Sequence, residues 1–162
     1  MRLWPRLLPA FFILSTFSSC VYYNTFYNAK KQFELATIRR LESDAEPENR
    51  MLANSYLDYY LSAIRKSSTV LELHSESKWV DDSLLLIGKS YYWRSEYKDS
   101  LLKFDELLQN FPESELRSET LYWRAIALWG NEEFLESREL LEQIGKSDDS
   151  IYAWQARLAL AE

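Results

Sequence analysis

The feature that most constrains the fold is a self-similarity of the sequence at an offset of 37 residues. Small residues map onto small residues, and large apolar residues map onto large ones. The matched pairs are Gly88 with Ala125, Tyr91 with Leu128, Tyr97 with Phe134, Ser100 with Ser137, Phe104 with Leu141 and Leu107 with Ile144. Helix pairs that recur at this spacing cannot bury their apolar faces alone, so neighbouring pairs are expected to stack.

The repeated segments have helical periodicity, and the chain is poor in turn formers. Its three glycines and four prolines are too few for the many tight turns of a β-sandwich or a β-barrel. We therefore predict an all-α protein with helices over residues 22–43, 50–73, 79–93, 95–111, 116–129, 131–145 and 150–162. The residues expected to cap these helices are Ser77, Ser95 and Asn131, with Glu132 and Glu133 in a first turn and Gly145 at a C-terminus.

The repeat weakens toward both ends of the chain. Shifted back by 37 residues, Tyr97, Ser100 and Leu107 map to Tyr60, Ala63 and Val70, whereas Phe104 meets Ser67 and Gly88 meets Met51. The second helix of that unit is therefore preserved and the first is degenerate. Ala156 resembles the small position of a further unit without a second helix. Two readings stay open, an array cut short at Glu162 and a divergent short array, and chance spacing in an ordinary helix bundle is the alternative to both.

The central unit resembles the tetratricopeptide repeat in the spacing of its apolar and small residues. The matching positions are Leu84, Ile87, Gly88, Tyr91, Tyr97, Ser100, Phe104, Leu107 and Pro112. The resemblance implies a right-handed solenoid of helical hairpins over residues 48–162. It places Gly88 where the two helices of a pair cross, with Tyr91 and Phe104 beside the crossing and Ser100 as a second small contact. Ala125, Ser137 and Leu141 take the corresponding places in the next unit.

The first twenty residues are typical of an exported lipoprotein. Arg2 and Arg6 precede an apolar run over residues 7–17, which suits a signal peptide and is too short to span a bilayer. The run ends in Phe17-Ser18-Ser19-Cys20, which resembles a bacterial lipobox. This resemblance implies that residues 1–19 are removed, that Cys20 is acylated and anchors the chain in a membrane, and that residues 20–47 are an anchored segment and first helix. An uncleaved membrane segment and a buried thiol are the alternatives.

A lipobox followed by such repeats resembles the outer-membrane assembly lipoproteins of the BamD family. The segment Ser77-Lys78-Trp79-Val80-Asp81-Asp82, which leads into the central unit, and the opening over residues 22–31 carry this likeness. It implies a non-catalytic scaffold on the periplasmic side of the outer membrane that assists β-barrel assembly by binding envelope proteins. Val21 in place of aspartate favours the outer membrane. Periplasmic repeat proteins of the Tol-Pal system share the repeat type, so an envelope-organising tether is the alternative role.

The repeat register predicts which side chains face a partner. Tetratricopeptide arrays resemble one another in holding peptides on the concave face made by the first helix of each pair. The positions that should line this groove are Asp82, Lys89, Tyr92, Trp93, Glu119, Tyr122 and Trp129. Exposed aromatic side chains there would act as anchors for a partner. The alternative is that the aromatic side chains pack between neighbouring repeats.

The sequence offers little to an enzyme or to a nucleic-acid-binding protein. His74 is the only histidine, Cys20 is the only cysteine, and no glycine-rich phosphate loop is present, so we expect neither metal nor cofactor. Adjacent carboxylates such as Asp81 and Asp82 diverge on a helix, which leaves cell-wall glycan hydrolysis as a remote alternative. Removing residues 1–19 takes away two of 19 basic residues and no acid, so the net charge falls from −6 to −8, which disfavours a phosphate backbone.

Overall fold

The described part of the chain is entirely helical in its regular structure. In this computed structural model the backbone is described for residues 8–45, 50–146 and 151–161, and the side chains for residues 24–45, 55–146 and 151–161. The helices are α1 (Leu8–Ala45), α2 (Arg50–Leu73), α3 (Val80–Trp93), α4 (Tyr97–Asn110), α5 (Arg117–Gly130), α6 (Phe134–Gly145) and α7 (Ile151–Ala159). The prediction of an all-α protein is confirmed, and the predicted bounds of α2 agree with the structure.

The helices pack in chain order as adjacent hairpins. Each helix contacts the next one along the chain, and within the described residues the other contacts between helices join α1 to α3, α3 to α5 and α5 to α7. The odd-numbered helices therefore form one continuous layer. Between the even-numbered helices, the described residues show no such contacts.

The hydrogen bonds repeat at the offset that the sequence predicts. The Ser100 hydroxyl donates to the Gly88 carbonyl at 2.8 Å, and the Ser137 hydroxyl donates to the Ala125 carbonyl at 2.7 Å. The turns between the helices also correspond, because the Glu96 N–H bonds the Tyr91 carbonyl at 3.0 Å and the Glu133 N–H bonds the Leu128 carbonyl at 2.9 Å. The 37-residue repetition in sequence is thus a repetition in three dimensions.

The helix ends differ from the predicted caps. The N-cap residues of α3, α4 and α6 are Trp79, Glu96 and Glu133, and none makes a side-chain capping hydrogen bond. The prediction that Ser95 and Asn131 are the N-caps of α4 and α6 is wrong. Ser95 adopts a left-handed backbone conformation with φ 60°, which closes the tight turn after α3, and Asn131 ends α5 instead of starting α6.

The remaining predicted caps differ in similar ways. Ser77 accepts a 3.3 Å hydrogen bond from the Trp79 N–H without being the N-cap itself. Glu132 repeats the left-handed turn with φ 66°, so it precedes α6 and does not lie in its first turn. Gly145 is the last helical residue of α6, and Lys146 follows it as the C-cap.

The predicted packing residues lie at the interface between the paired helices. Gly88, Ser100, Phe104, Ala125, Ser137 and Leu141 are buried, and Tyr91 is half-buried. A Cβ added to Gly88 would lie 2.4 Å from a ring carbon of Phe104, so the ring occupies the space that a larger residue would need. In the first hairpin Tyr60, Ala63 and Val70 are fully buried, which agrees with a preserved second helix, while the Met51 side chain lies outside the described residues.

The last helix leaves an apolar stripe in solvent. Ala153 and Ala156 are fully buried on one side of α7, whereas Ile151, Trp154 and Leu158 are exposed on another. These three side chains follow a three-to-four-residue spacing and therefore share one face of the helix. No helix in the described part of the chain combines the length and the apolar character needed to cross a membrane.

Candidate functional site

Three of the candidate binding residues line a concavity within the odd-numbered layer. Its volume is about 420 Å³, and α1, α3, α5 and the residues just before α3 and α5 form its walls. We call it the α1–α3–α5 cleft. Its lining residues are Phe26, Lys30, Phe33, Glu34, Trp79, Asp82, Leu85, Leu86, Lys89, Leu116 and Glu119.

The floor of the cleft is apolar and packed against the core. Phe26 and Leu86 are buried in a core cluster against which Trp79 and Phe33 pack. The Phe26 and Trp79 rings stack with centroids 5.1 Å apart and an interplanar angle of 16°. Aromatic side chains lose few rotamers on binding, so this floor is suited to holding an apolar side chain of a partner.

Among the described residues, no hydrogen-bond donor and no ion-pair partner reaches the Asp82 carboxylate in the cleft. Burial, and then the charge of Asp81, raises the pKa of the Asp82 carboxyl above its ordinary value. Lys30 and Lys78 oppose this shift through their charges, but among the described residues neither forms an ion pair with Asp82. The neighbouring Asp81 differs, because its carboxylate accepts a 2.7 Å hydrogen bond from the Ser114 hydroxyl.

Lys89 and Glu119 point at each other across the cleft. The Lys89 ammonium donates to the Glu119 carboxylate at 2.8 Å, and each side chain is only 20% exposed. The ammonium also lies over two rings, 5.5 Å from the Phe33 centroid and 5.0 Å from the Trp123 centroid. Each of these charges is therefore neutralised within the protein.

Glu119 extends this pair to the last helix. Burial alone would raise the pKa of Glu119, but the hydrogen bond and charge of Lys89, with hydrogen bonds from Tyr152 and Trp123, lower it. Burial, and then the bond to Glu119, raises the pKa of the Tyr152 hydroxyl far above its ordinary value. These contacts connect four helices in series: the Lys89 ammonium on α3 lies over the Phe33 ring of α1 and bonds Glu119 on α5, and Glu119 bonds Tyr152 on α7.

Tyr92, Trp93 and Tyr122 belong to an aromatic cluster between the odd-numbered helices. Tyr92 packs edge-on against both Trp93 and Trp123, with centroids 5.0 and 5.3 Å away, and burial raises the pKa of its hydroxyl. The ring centroids of Tyr122 on α5 and Tyr152 on α7 lie 6.0 Å apart. The Arg40 guanidinium from α1 sits 3.9 Å over the Trp93 ring. These three candidates therefore make contacts between neighbouring helix pairs.

Trp129 lies apart from the cleft. It is 57% exposed and packs edge-on against Phe134 at the start of α6, with centroids 4.8 Å apart. Of the seven predicted groove residues, the structure places Asp82, Lys89 and Glu119 together in the cleft.

Sequence reasoning missed the contribution of α1. Phe26, Lys30, Phe33 and Glu34 line the cleft, although the predicted repeat region begins at residue 48. A signal was present, because Phe26, Ala29 and Phe33 follow helical spacing and the first and last of them are aromatic. The match at 37 residues does not extend to this helix, so the repeat could not locate it.

The remaining questions from the sequence concern metal ligands and the proposed lipid anchor. No group of three or more potential ligands could hold a metal ion there. The Cys20 side chain and the proposed signal peptide lie outside the residues whose side chains are described. The sequence matches no protein-family model and no curated protein.

Proposed function

We propose that this protein is a non-catalytic, lipid-anchored scaffold that binds a segment of another envelope protein in the α1–α3–α5 cleft. In this proposal the helical hairpins form a right-handed solenoid of the tetratricopeptide type, and Cys20 carries the acyl chains. The observation that carries the proposal is the cleft itself, built by the first helices of successive hairpins whose hydrogen bonds recur every 37 residues. Stacked hairpins create such extended binding faces.

The proposed location is the periplasmic side of the outer membrane. It rests on the lipobox-like sequence before Cys20 and on Val21. The resemblance to BamD lipoproteins makes the β-barrel assembly machinery the first partner to test, and an envelope-organising tether of the Tol-Pal type is the alternative. The acidic net charge of the chain supports a protein partner over a nucleic acid.

Site-specific photo-crosslinking in cells tests the binding face. A photo-reactive amino acid replaces Glu34, an exposed residue at the edge of the cleft, and in a control it replaces Leu102, which is 64% exposed on α4, outside the odd-numbered layer. We expect one predominant crosslinked protein from position 34 and none of it from position 102. Equal crosslinking from both positions would contradict the assignment of the cleft.

Two further measurements test the anchor and the role. Cys20→Ser should abolish acylation and move the protein out of the membrane fraction, whereas persistence in that fraction would contradict lipid anchoring. Depletion of the protein should lower porin levels in the outer membrane. Normal porin levels, with crosslinks to Tol-Pal or cell-wall proteins alone, would exclude the assembly role and support the tether.

A further inference from the structure

The charges of the α1–α3–α5 cleft are not all available to a partner. Lys89 and Glu119 neutralise each other, and both are largely buried. The remaining lining charges are Asp82 and Glu34 against Lys30, which leaves an excess of one negative charge. Lys30 and Glu34 are exposed at the rim and can turn toward solvent, while Asp82 is partly buried beside the apolar floor.

Asp82 is the group in the cleft that is best placed to receive a donor from outside. A carboxylate removed from water loses solvation, and this loss is recovered when a cation or hydrogen-bond donor reaches it. Its neighbour Asp81 is already bonded to Ser114, whereas the described residues supply Asp82 with no ion pair and no donor to its carboxylate. The adjacent Phe26 and Leu86 would cover the apolar part of an arriving side chain.

The cleft also lies close to the proposed lipid attachment. Phe26 follows Cys20 by six residues within α1, and six helical residues rise about 9 Å along the helix axis. An acylated Cys20 would therefore hold this end of the cleft within that distance of the membrane surface. A partner segment close to its own membrane-spanning part would meet the cleft without having to extend far from the bilayer.

We propose that the cleft binds a membrane-proximal peptide segment that places an arginine or lysine against Asp82 and an adjacent apolar side chain on the Phe26–Trp79 floor. This inference rests on the proposed function, because it requires both the anchor and the use of the cleft. It goes further by assigning the chemistry of the ligand and the residue that selects it.

Selection from a displayed library of random twelve-residue peptides tests the chemistry. The bait is the full-length acylated protein in detergent, compared with Asp82→Asn and with Asp58→Asn, which removes an exposed carboxylate from α2. Peptides enriched on the wild-type protein and on Asp58→Asn should pair a basic residue with an apolar one. Their affinity for Asp82→Asn should fall about tenfold, as expected for a lost charge-assisted hydrogen bond. Circular dichroism checks that each variant is folded.

Reversing the charge at position 82 should reverse the charge of the selected peptides. Asp82→Lys should enrich peptides with an acidic residue at the same place. Enriched peptides that lack a basic residue, or that bind Asp82→Asn as tightly as the wild type, would overturn the inference. If such peptides still block crosslinking from position 34, the proposed function survives and the inference alone fails. If no peptide is enriched and position 34 gives no crosslink, both fail.

A spacer tests the proximity to the membrane. Twenty glycine and serine residues inserted after Val21 behave as a flexible coil with a root-mean-square span of about 25 Å. The yield of the crosslink from position 34 should drop several-fold, while the protein stays in the membrane fraction. An unchanged yield would show that the bound segment is not restricted to the membrane surface.

Discussion

Gly88→Ala should destabilise the protein, although alanine is the better helix former. The new Cβ would lie 2.4, 2.7 and 2.9 Å from three ring carbons of Phe104, whereas ordinary carbon–carbon contacts are about 3.5–4.0 Å. The ring is fully buried and would have to move by about 1 Å. Overpacking of this kind costs about 1–3 kcal/mol. Alanine recovers up to about 1 kcal/mol of helix propensity, so we expect a net loss of up to about 2 kcal/mol.

The second unit shows how the strain should be relieved. There Ala125 takes the place of Gly88 and Leu141 takes the place of Phe104. The residue on the first helix is larger than in the central unit, and the residue on the second helix is smaller. Phe104→Leu alone leaves a gap and costs less than the about 3–5 kcal/mol typical of Phe→Ala. Adding Gly88→Ala should then restore stability, with a favourable coupling of about 2 kcal/mol.

Urea denaturation followed by circular dichroism measures all four corners of this cycle. An unchanged denaturant slope is required, because repeat arrays can lose two-state behaviour. The control is the inverse cycle in the second unit, in which Leu141→Phe should be destabilising alone and improved by Ala125→Gly. A Gly88→Ala variant that gains about 1 kcal/mol, with additive double variants, would refute the packing argument.

Three further predictions follow from the hydrogen bonds and charges. Lys89→Glu and Glu119→Lys should each lower the free energy of unfolding by about 1–2 kcal/mol, as measured by urea denaturation. The double variant with the charges exchanged should recover only part of this loss, because a carboxylate at position 89 cannot make the favourable contact that the Lys89 ammonium makes with the aromatic rings. Full recovery would contradict the ring contacts. Asp82→Asn should be more stable than the wild type at neutral pH. Since folding raises the pKa of Asp82, the extra stability of Asp82→Asn over the wild type should be absent below pH 3.8 and should grow as pH rises through the folded-state pKa. Extra stability that occurs only at acid pH would contradict this prediction. Ser100→Ala and Ser137→Ala should each lose about 1 kcal/mol, and a loss in only one would show that the repeated bonds are not equivalent.

The repeat could be predicted from the sequence because its packing depends on residue size. Gly88 and Phe104 are complementary in volume, and the offset copies that complementarity onto Ala125 and Leu141. Apolar periodicity likewise located α2, whose predicted and observed bounds agree. Such signals are strong because a buried position tolerates few volumes.

The helix ends could not be predicted in the same way. Ser95 and Asn131 are residue types that often cap helices, so local preference favoured them. The tight turns after α3 and α5 instead require one residue with positive φ, and Ser95 and Glu132 take that conformation. The geometry of the hairpin overrides the preference of the individual residue.

The candidate site shows a different limit, since a register position identifies a helix face but not the contacts made there. Lys89 and Glu119 were predicted to face a ligand, and they do line the cleft, yet each neutralises the other. Their pairing ties α3 to α5, and Tyr152 extends the tie to α7. Substituting either one would change the arrangement of the helices as well as any binding. Within the described part of the chain, no hydrogen bond or ion pair ties the Asp82 carboxylate to a neighbouring helix, so its substitution is the cleaner probe of what the cleft binds.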